Sequence, residues 1–314
     1  MSVERNLAPR TVEEYTEDLH HFLHSKTIDI EKNQDFSLAN LDERTIREYL
    51  AELKQVLHYT PRSVNRKIAC LKSYFGFLEK DGFIKRSPAE KLKSVKDHRP
   101  LPKVLSVDDM TALLAAVAPM EIPKKPTAEW LRKNSKLVRD RAIVELFYAS
   151  GIRVSELVGL NLDAVDFKEK TAKVLGKGQK ERYVLINDAS VEALKRYLSI
   201  RPEIKNSALF LSRRGRRISI RMVQTLLKRH LKRAGIHKPA SPHTLRHSFA
   251  THMLEGGADL VTIKELLGHA NLSTTQIYTN ISISHMKETY RKSHPRSSEQ
   301  EWPAKKGSLK KEKE

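Results

Sequence analysis

Cysteine is all but missing from this chain: Cys70 is the single one among 314 residues. A disulfide framework within one chain is excluded, and a cysteine-based zinc site would lack its companion ligands. Cys70 falls in an apolar helical stretch, 68–77, and reads as a small buried core residue. Long hydrophobic runs are missing too. No apolar stretch approaches the roughly 20 residues needed to cross a bilayer. Apolar residues make up 39% of the chain and the mean hydropathy is −0.52. Residues 1–10 hold no apolar segment of the secretory type, and internal repeats are absent. The expectation is a cytoplasmic protein with no membrane association.

Charge is what the chain has in excess. Lys and Arg number 58 against 38 Asp and Glu, a formal net charge of +20 with a pI near 9.9. Such a surplus points to a polyanion, either nucleic acid or an acidic membrane surface. A membrane binder would concentrate its basic residues on one amphipathic helix or carry a lipidation signal. Here they spread over most of the chain, so nucleic acid is the better reading. Charge alone separates neither DNA from RNA nor an enzyme from a binder.

A chain of this length suggests two domains, at roughly 150 residues each. The first hundred residues read as helical. Val12, Tyr15, Leu19 and Phe22 recur at helical spacing over 11–24, Ile46, Leu50 and Leu53 over 42–57, and Val64, Ile68, Leu71 and Phe75 over 62–81. Gly82 is placed to end the third helix in a left-handed cap, and a short helix is expected at 88–92. Periodicity stops over 93–104, a basic stretch with two prolines that reads as an interdomain linker. Beyond it, Ser106 is a candidate N-cap for 107–117. A polar, proline-containing segment, 119–135, reads as an insertion before a helix over 137–150. Two short strands, 171–175 and 182–186, flank a glycine-rich turn and predict a hairpin. Helices are expected to dominate from 189 to 290. The tail from 297 onward is polar, rich in lysine, and expected to be disordered.

Several residues could carry chemistry, though each has an ordinary reading by itself. Ser241 and Pro242 form a helix start, which places His243 and Arg246 on one face. The first offers a titratable nitrogen and the second a rigid fork suited to phosphate oxygens. His247 lies one turn on, and its apolar neighbours predict partial burial. Asp259 and Gly268 bound the next helix, with His269 just after it. Tyr278 sits one turn into a further helix. A phenol titrates near 10 and becomes a useful nucleophile only where cations stabilise the phenolate. Arg153 follows a glycine helix stop, and Lys177 sits at the hairpin tip between glycines. Read alone, these are a surface arginine and a turn lysine.

Their order and local settings resemble the tyrosine recombinase (phage integrase) family, most closely its Xer-type chromosome-resolution members. The matching blocks are Tyr148-Ala-Ser-Gly-Ile-Arg-Val-Ser-Glu-Leu-Val158, Val174-Leu-Gly-Lys-Gly-Gln-Lys-Glu-Arg182, His243-Thr-Leu-Arg-His-Ser-Phe-Ala-Thr-His252, Leu266-Leu-Gly-His-Ala270 and Thr274-Thr-Gln-Ile-Tyr-Thr279. Ala8-Pro-Arg-Thr-Val-Glu-Glu-Tyr15, Pro88-Ala-Glu-Lys-Leu92 and Pro102-Lys-Val-Leu-Ser106 are similar to the family as well. The likeness covers nearly everything up to Arg296.

The resemblance implies a mainly α fold with a small β-sheet (α+β). A helical SAM-like core-binding domain over 1–94 and a linker over 95–104 would precede a catalytic domain over 105–296 and a basic tail over 297–314. It also implies a catalytic set of Arg153, Lys177, His243, Arg246, His269 and Tyr278. Tyr278 would attack the scissile phosphate to form a 3′-phosphotyrosine, while Arg153 and Arg246 clamp the nonbridging oxygens. His243 would assist proton movement at the nucleophile, Lys177 would protonate the departing 5′-oxygen, and His269 would hydrogen-bond the phosphate. No cofactor and no metal are expected, and the sequence holds neither a P-loop nor a convincing His/carboxylate metal cluster.

The implied partners are a double-stranded DNA recombination site and a homo- or hetero-tetramer on two such sites. A sister Xer recombinase and a DNA translocase are further partners of that kind. Arg213-Arg-Gly-Arg-Arg217 and Lys228-Arg-His-Leu-Lys-Arg233 are expected on the DNA backbone. Two rival readings are an integrase of a mobile element and a catalytically silent DNA-binding protein.

Overall fold

Three amphipathic helices, α1 (Pro9–Ser25), α2 (Glu43–Gln55) and α3 (Pro61–Lys80), build the first part of the chain. The structure is a computed structural model that describes residues 9–25, 41–96, 103–117, 121–176, 180–268 and 280–297. It divides into two compact units, Met1–Pro100 and Leu101–Glu314. In the first unit, α1 and α2 both pack on α3. Phe22, Ile46, Tyr49, Leu53, Val64, Ile68, Leu71 and Phe75 form the core. Local chemistry sets the helix ends. The Asp42 carboxylate accepts from the Thr45 amide at 2.7 Å, and Thr60 caps α3 ahead of Pro61. At the far end of α3, Gly82 has φ +78. Its amide donates to the Glu79 carbonyl and that of Phe83 to Leu78, the paired bonds of a Schellman ending.

Polar groups also cross this core. Asp18 is buried and takes Lys67 Nζ at 2.9 Å along with the Arg66 guanidinium. Cys70 is buried as expected, its thiol donating to the Tyr15 carbonyl. The short helix expected at 88–92 is instead a pair of turns, with Glu90 N on Ser87 O and Leu92 N on Ala89 O. Burial of Ala89 and Leu92 fixes a segment too short to develop i→i−4 bonding.

The second unit contains α4 (Val107–Ala116), α5 (Ala128–Ser150) and α6 (Val154–Gly159). Strands β1 (Val165–Asp166), β2 (Thr171–Leu175) and β3 (Glu181–Leu185) follow. The unit continues with α7 (Asp188–Leu198), α8 (Ile220–Arg233), α9 (Pro242–Glu255), α10 (Leu260–Leu267) and α11 (Asn280–Ser293). The fold is mainly helical with a small sheet, as the sequence predicts. The sheet is antiparallel in the order β1-β2-β3. Its pleat buries Ala172 and Val174 on β2 and Arg182 and Val184 on β3, while Lys173, Leu175, Glu181 and Tyr183 face outward. From residue 138 to its end α5 is almost wholly buried, and α7 and α9 pack along it.

Three expectations change here. Helix α5 begins at Ala128 rather than 137. The prolines lie before it, Thr127 caps it by accepting from Trp130 N at 3.1 Å, and Lys133 pairs with Glu129 at 2.7 Å. Residues 128–135 of the supposed insertion are therefore the first turns of α5, and Trp130 packs against the core. Second, β1 adds a strand too short to show in the sequence. Third, 199–219 is irregular rather than helical, held by the isolated bridges Asn161↔Ala208 and Leu211↔Arg217. No helix among the described residues is long and apolar enough to cross a membrane. The tail beyond 297 lies outside the described residues.

Candidate active site

Three helix ends and part of a fourth helix meet at one place: the C-termini of α5 and α10, the N-terminus of α6, and the first half of α9. Helix α9 begins with Ser241 accepting from the Thr244 amide, and Pro242 occupies its first turn. That start places Arg246 on the inner face, at 5% exposure. Its Nη1 donates to the Gly151 carbonyl at 2.7 Å and its Nη2 to the Leu267 carbonyl at 2.6 Å. Both acceptors sit at helix C-termini, where carbonyls lack intrahelical donors and partial negative charge accumulates. Burial lowers the Arg246 guanidinium to about 10, and nearby Arg153 and Arg182 push the same way against Glu156. It remains charged at neutral pH.

Gly151 makes this approach possible. It ends α5 with φ +57, and a Cβ there would lie 2.5 Å from Phe249 Cδ1 and 2.8 Å from Leu267 Cδ2. Only glycine takes both the backbone and the space. Two residues later Arg153 is the N-cap of α6. Its Nη1 donates to Glu156 Oε1 at 2.9 Å and its amide to Glu156 Oε2 at 2.8 Å. The Arg153 side chain is 38% exposed, whereas that of Glu156 is 1% exposed. Glu156 therefore steers a half-open arginine from below. Arg182, on the buried face of β3, donates to the same Glu156 Oε2 at 2.9 Å and to the Leu266 carbonyl at 2.9 Å.

The structure thus brings Arg153 and Arg246 together. His243 lies three residues before Arg246 but faces solvent, with its ring edge-on to His247 at 4.3 Å between centroids. His247 is partly buried, as its neighbours predict. Lys177, His269 and Tyr278 lie outside the described residues. Their flanks are placed, however. Gly176 closes β2 with its amide on the Lys180 carbonyl at 2.8 Å, and a Cβ on it would lie 3.8 Å from Glu156 Oε1. Gly268 caps α10 with φ +64 immediately before His269.

Sequence reasoning missed Glu156 and Arg182 as members of the cluster. Glu156 was detectable from its i,i+3 spacing to Arg153. Arg182 was not, because its partners come from α6 and α10. One of the basic residues expected on the DNA backbone also has partners within the fold. Arg217 Nη1 donates to the carbonyls of Val158 at 2.9 Å and Leu160 at 2.8 Å, tying the 211–217 bridge to the end of α6. On α8, Arg229 and His230 turn onto the buried Asp140 at 2.7 and 2.9 Å, leaving Lys228, Lys232 and Arg233 outward.

Comparison with known proteins gives this cluster a family. Residues 103–285 match the phage integrase family and 1–82 match its N-terminal SAM-like domain. Tyrosine recombinase XerC of Thermodesulfovibrio yellowstonii is 43% identical over 310 residues, covering 96% of this chain and 95% of that protein. Tyrosine recombinase XerD of Listeria monocytogenes is 38% identical, covering 94% of this chain and 96% of its own length. Among solved structures, the post-cleavage complex of XerH site-specific recombinase with palindromic difH substrate shares the fold. Its TM-score is 0.65 at 22% identity, over 90% of this chain and 78% of that one. An arginine cluster built at helix ends and matches spanning nearly the whole chain lead to one conclusion: the chain belongs to the phage integrase family and is a site-specific tyrosine recombinase, a DNA strand-transferring enzyme.

Proposed function

We propose that Arg153 and Arg246 bind the nonbridging oxygens of a scissile DNA phosphate while Tyr278 attacks its phosphorus. The attack would form a 3′-phosphotyrosine and release a 5′-hydroxyl. Lys177 protonates the departing 5′-oxygen, His243 orients the phosphate and assists proton movement at Tyr278, and His269 hydrogen-bonds the phosphate. The observation that carries this reading is the convergence of Arg153 and Arg246 at the ends of α5 and α10. Prepositioned cations act most strongly where transition-state charge develops in a partly desolvated site. Energy kept in the phosphotyrosine bond lets the reverse attack rejoin strands without a nucleotide cofactor.

In this reading residues 1–94 clamp DNA, 95–104 link, 105–296 catalyse, and 297–314 form a basic tail. The partner is a double-stranded recombination site, and the working assembly is four protomers on two sites, alone or with a sister Xer recombinase. Relatives named XerC and XerD support a role in resolving chromosome dimers through a Holliday junction, with a DNA translocase as a further partner. The test is recovery of DNA covalently bound to the protein from native cells without crosslinker, with Tyr278→Phe as the control. Adducts mapping to one chromosomal site and vanishing in the control support the proposal. Adducts at wild-type level in the control reassign the nucleophile, and adducts at the ends of a mobile element favour an integrase.

A further inference from the structure

The charge balance at Glu156 reaches beyond the two arginines assigned to the phosphate. Arg182 comes from β3, and the register Val174↔Arg182 turns it to the buried face. Its two forks span 2.9 Å contacts to Glu156 Oε2 and to the Leu266 carbonyl. Glu156 is the residue that holds Arg153 by both side chain and amide. Leu267, next to Leu266, is the residue whose carbonyl receives Arg246. Arg182 therefore touches the anchor of Arg153 and the neighbour of the residue whose carbonyl anchors Arg246, and is itself buried. Space is shaped around it too: a Cβ on Gly268 would lie 2.5 Å from both Cδ and Nε of Arg182.

Three guanidiniums, Arg153, Arg182 and Arg246, surround one carboxylate, which leaves two positive charges in surplus. A phosphodiester carries one negative charge, and its pentacoordinate transition state carries two, so the surplus matches the transition state. Without Arg182 the surplus halves. Glu156, buried and facing Arg153 alone, would then draw that side chain onto itself, since attraction between charges strengthens as water is excluded. Lysine could not replace the fork, because one ammonium does not span both acceptors in a fixed plane.

We propose that Arg182 is a positioning residue for strand cleavage: it neutralises Glu156 and pins the end of α10, so that Arg153 and Arg246 keep both charge and placement for the reacting phosphate. This rests on the reading of Arg153 and Arg246 as phosphate-binding groups.

The experiment is single-turnover cleavage of a nicked recombination site by the full chain. Either an ordinary phosphodiester or a methylphosphonate occupies the scissile position, and DNA binding is measured in parallel. The methylphosphonate is uncharged and reduces the need for a cationic clamp. Arg182→Met should slow phosphodiester cleavage by about 100-fold with binding nearly unchanged. On methylphosphonate its deficit relative to wild type should shrink to about threefold or less. Arg182→Lys keeps the charge and one contact and should fall between. It is read by the same ratio if the Met variant does not fold. An equal deficit on both substrates in both variants would make Arg182 mere scaffold and overturn the proposal. Arg153→Ala is the control. If its own deficit persists on methylphosphonate, the phosphate-binding reading itself fails. If Arg153→Ala is relieved and the Arg182 variants are not, only the present inference fails.

Discussion

Arg246 and Gly151 are joined by a 2.7 Å hydrogen bond from guanidinium to carbonyl that closes α9 onto the end of α5. The bond ties catalysis to stability, because the donor that would face substrate also satisfies a helix terminus. Arg246→Lys should lose one of its two carbonyl contacts and cost about 1–3 kcal/mol of stability, as for hydrogen bonds from charged groups in a buried setting. Cleavage should fall much further than DNA binding. Denaturant titration and single-turnover cleavage check the two parts. Equal losses of binding and cleavage would make Arg246 a docking residue.

Gly151→Ala attacks the same joint from the other side. The residue has φ +57, and the added methyl would start 2.5 Å from Phe249 Cδ1. Left-handed backbone costs an L-residue about 1–2 kcal/mol, and overpacking adds about 1–3 kcal/mol. The expected outcome is a lower urea midpoint and impaired cleavage. A variant as stable as wild type would show that α5 ends differently in solution.

Much of this joint was legible in the sequence because its parts are local. The cap at Ser241, proline at the first turn of α9, and the glycine stops at 151 and 268 each depend on neighbours within a few residues. The sequence places the α5 start too late because Pro123 and Pro126 precede it closely, while the cap at Thr127 and the ion pair behind it carry the helix back to Ala128. Arg182 closed a recognised block, yet its work depends on the β2–β3 register and on the approach of α10, which no local pattern encodes. A basic run likewise does not reveal that one of its members, Arg217, folds back onto carbonyls.

His294 predicts how stability responds to acid. Its Nε2 donates to the Tyr148 carbonyl at 2.9 Å, and its ring stacks on Tyr290 beside Phe249. Burial lowers its pKa to about 4, with Arg296 and His252 acting in the same direction. Unfolded histidine titrates near 6.5, so the unfolded state binds more protons between those values. Stability is therefore complete above about pH 6.5 and falls as pH drops towards 4, by up to about 3 kcal/mol. His252, also lowered chiefly by burial, adds in the same direction. Urea midpoints from pH 7 to 4.5 should decline, and His294→Gln should flatten the slope. An unchanged slope in that variant would move the effect to other groups.

The basic face of α8 separates electrostatic binding from structure. Lys228, Lys232 and Arg233 point outward, whereas Arg217 is spent on the carbonyls of Val158 and Leu160. Each cation that neutralises a DNA phosphate adds about 0.9 to the slope of log affinity against log salt, through counterion release. Replacing Lys228, Lys232 and Arg233 by alanine should weaken DNA binding at low salt and make its salt dependence shallower. Arg217→Ala should lower the urea midpoint and leave that slope alone, because its guanidinium is engaged by the carbonyls of Val158 and Leu160. Affinity measured across a salt series, with denaturation of each variant, checks both. A shallower slope for Arg217→Ala would return that residue to the DNA interface, and an unchanged slope for the α8 variant would remove α8 from it.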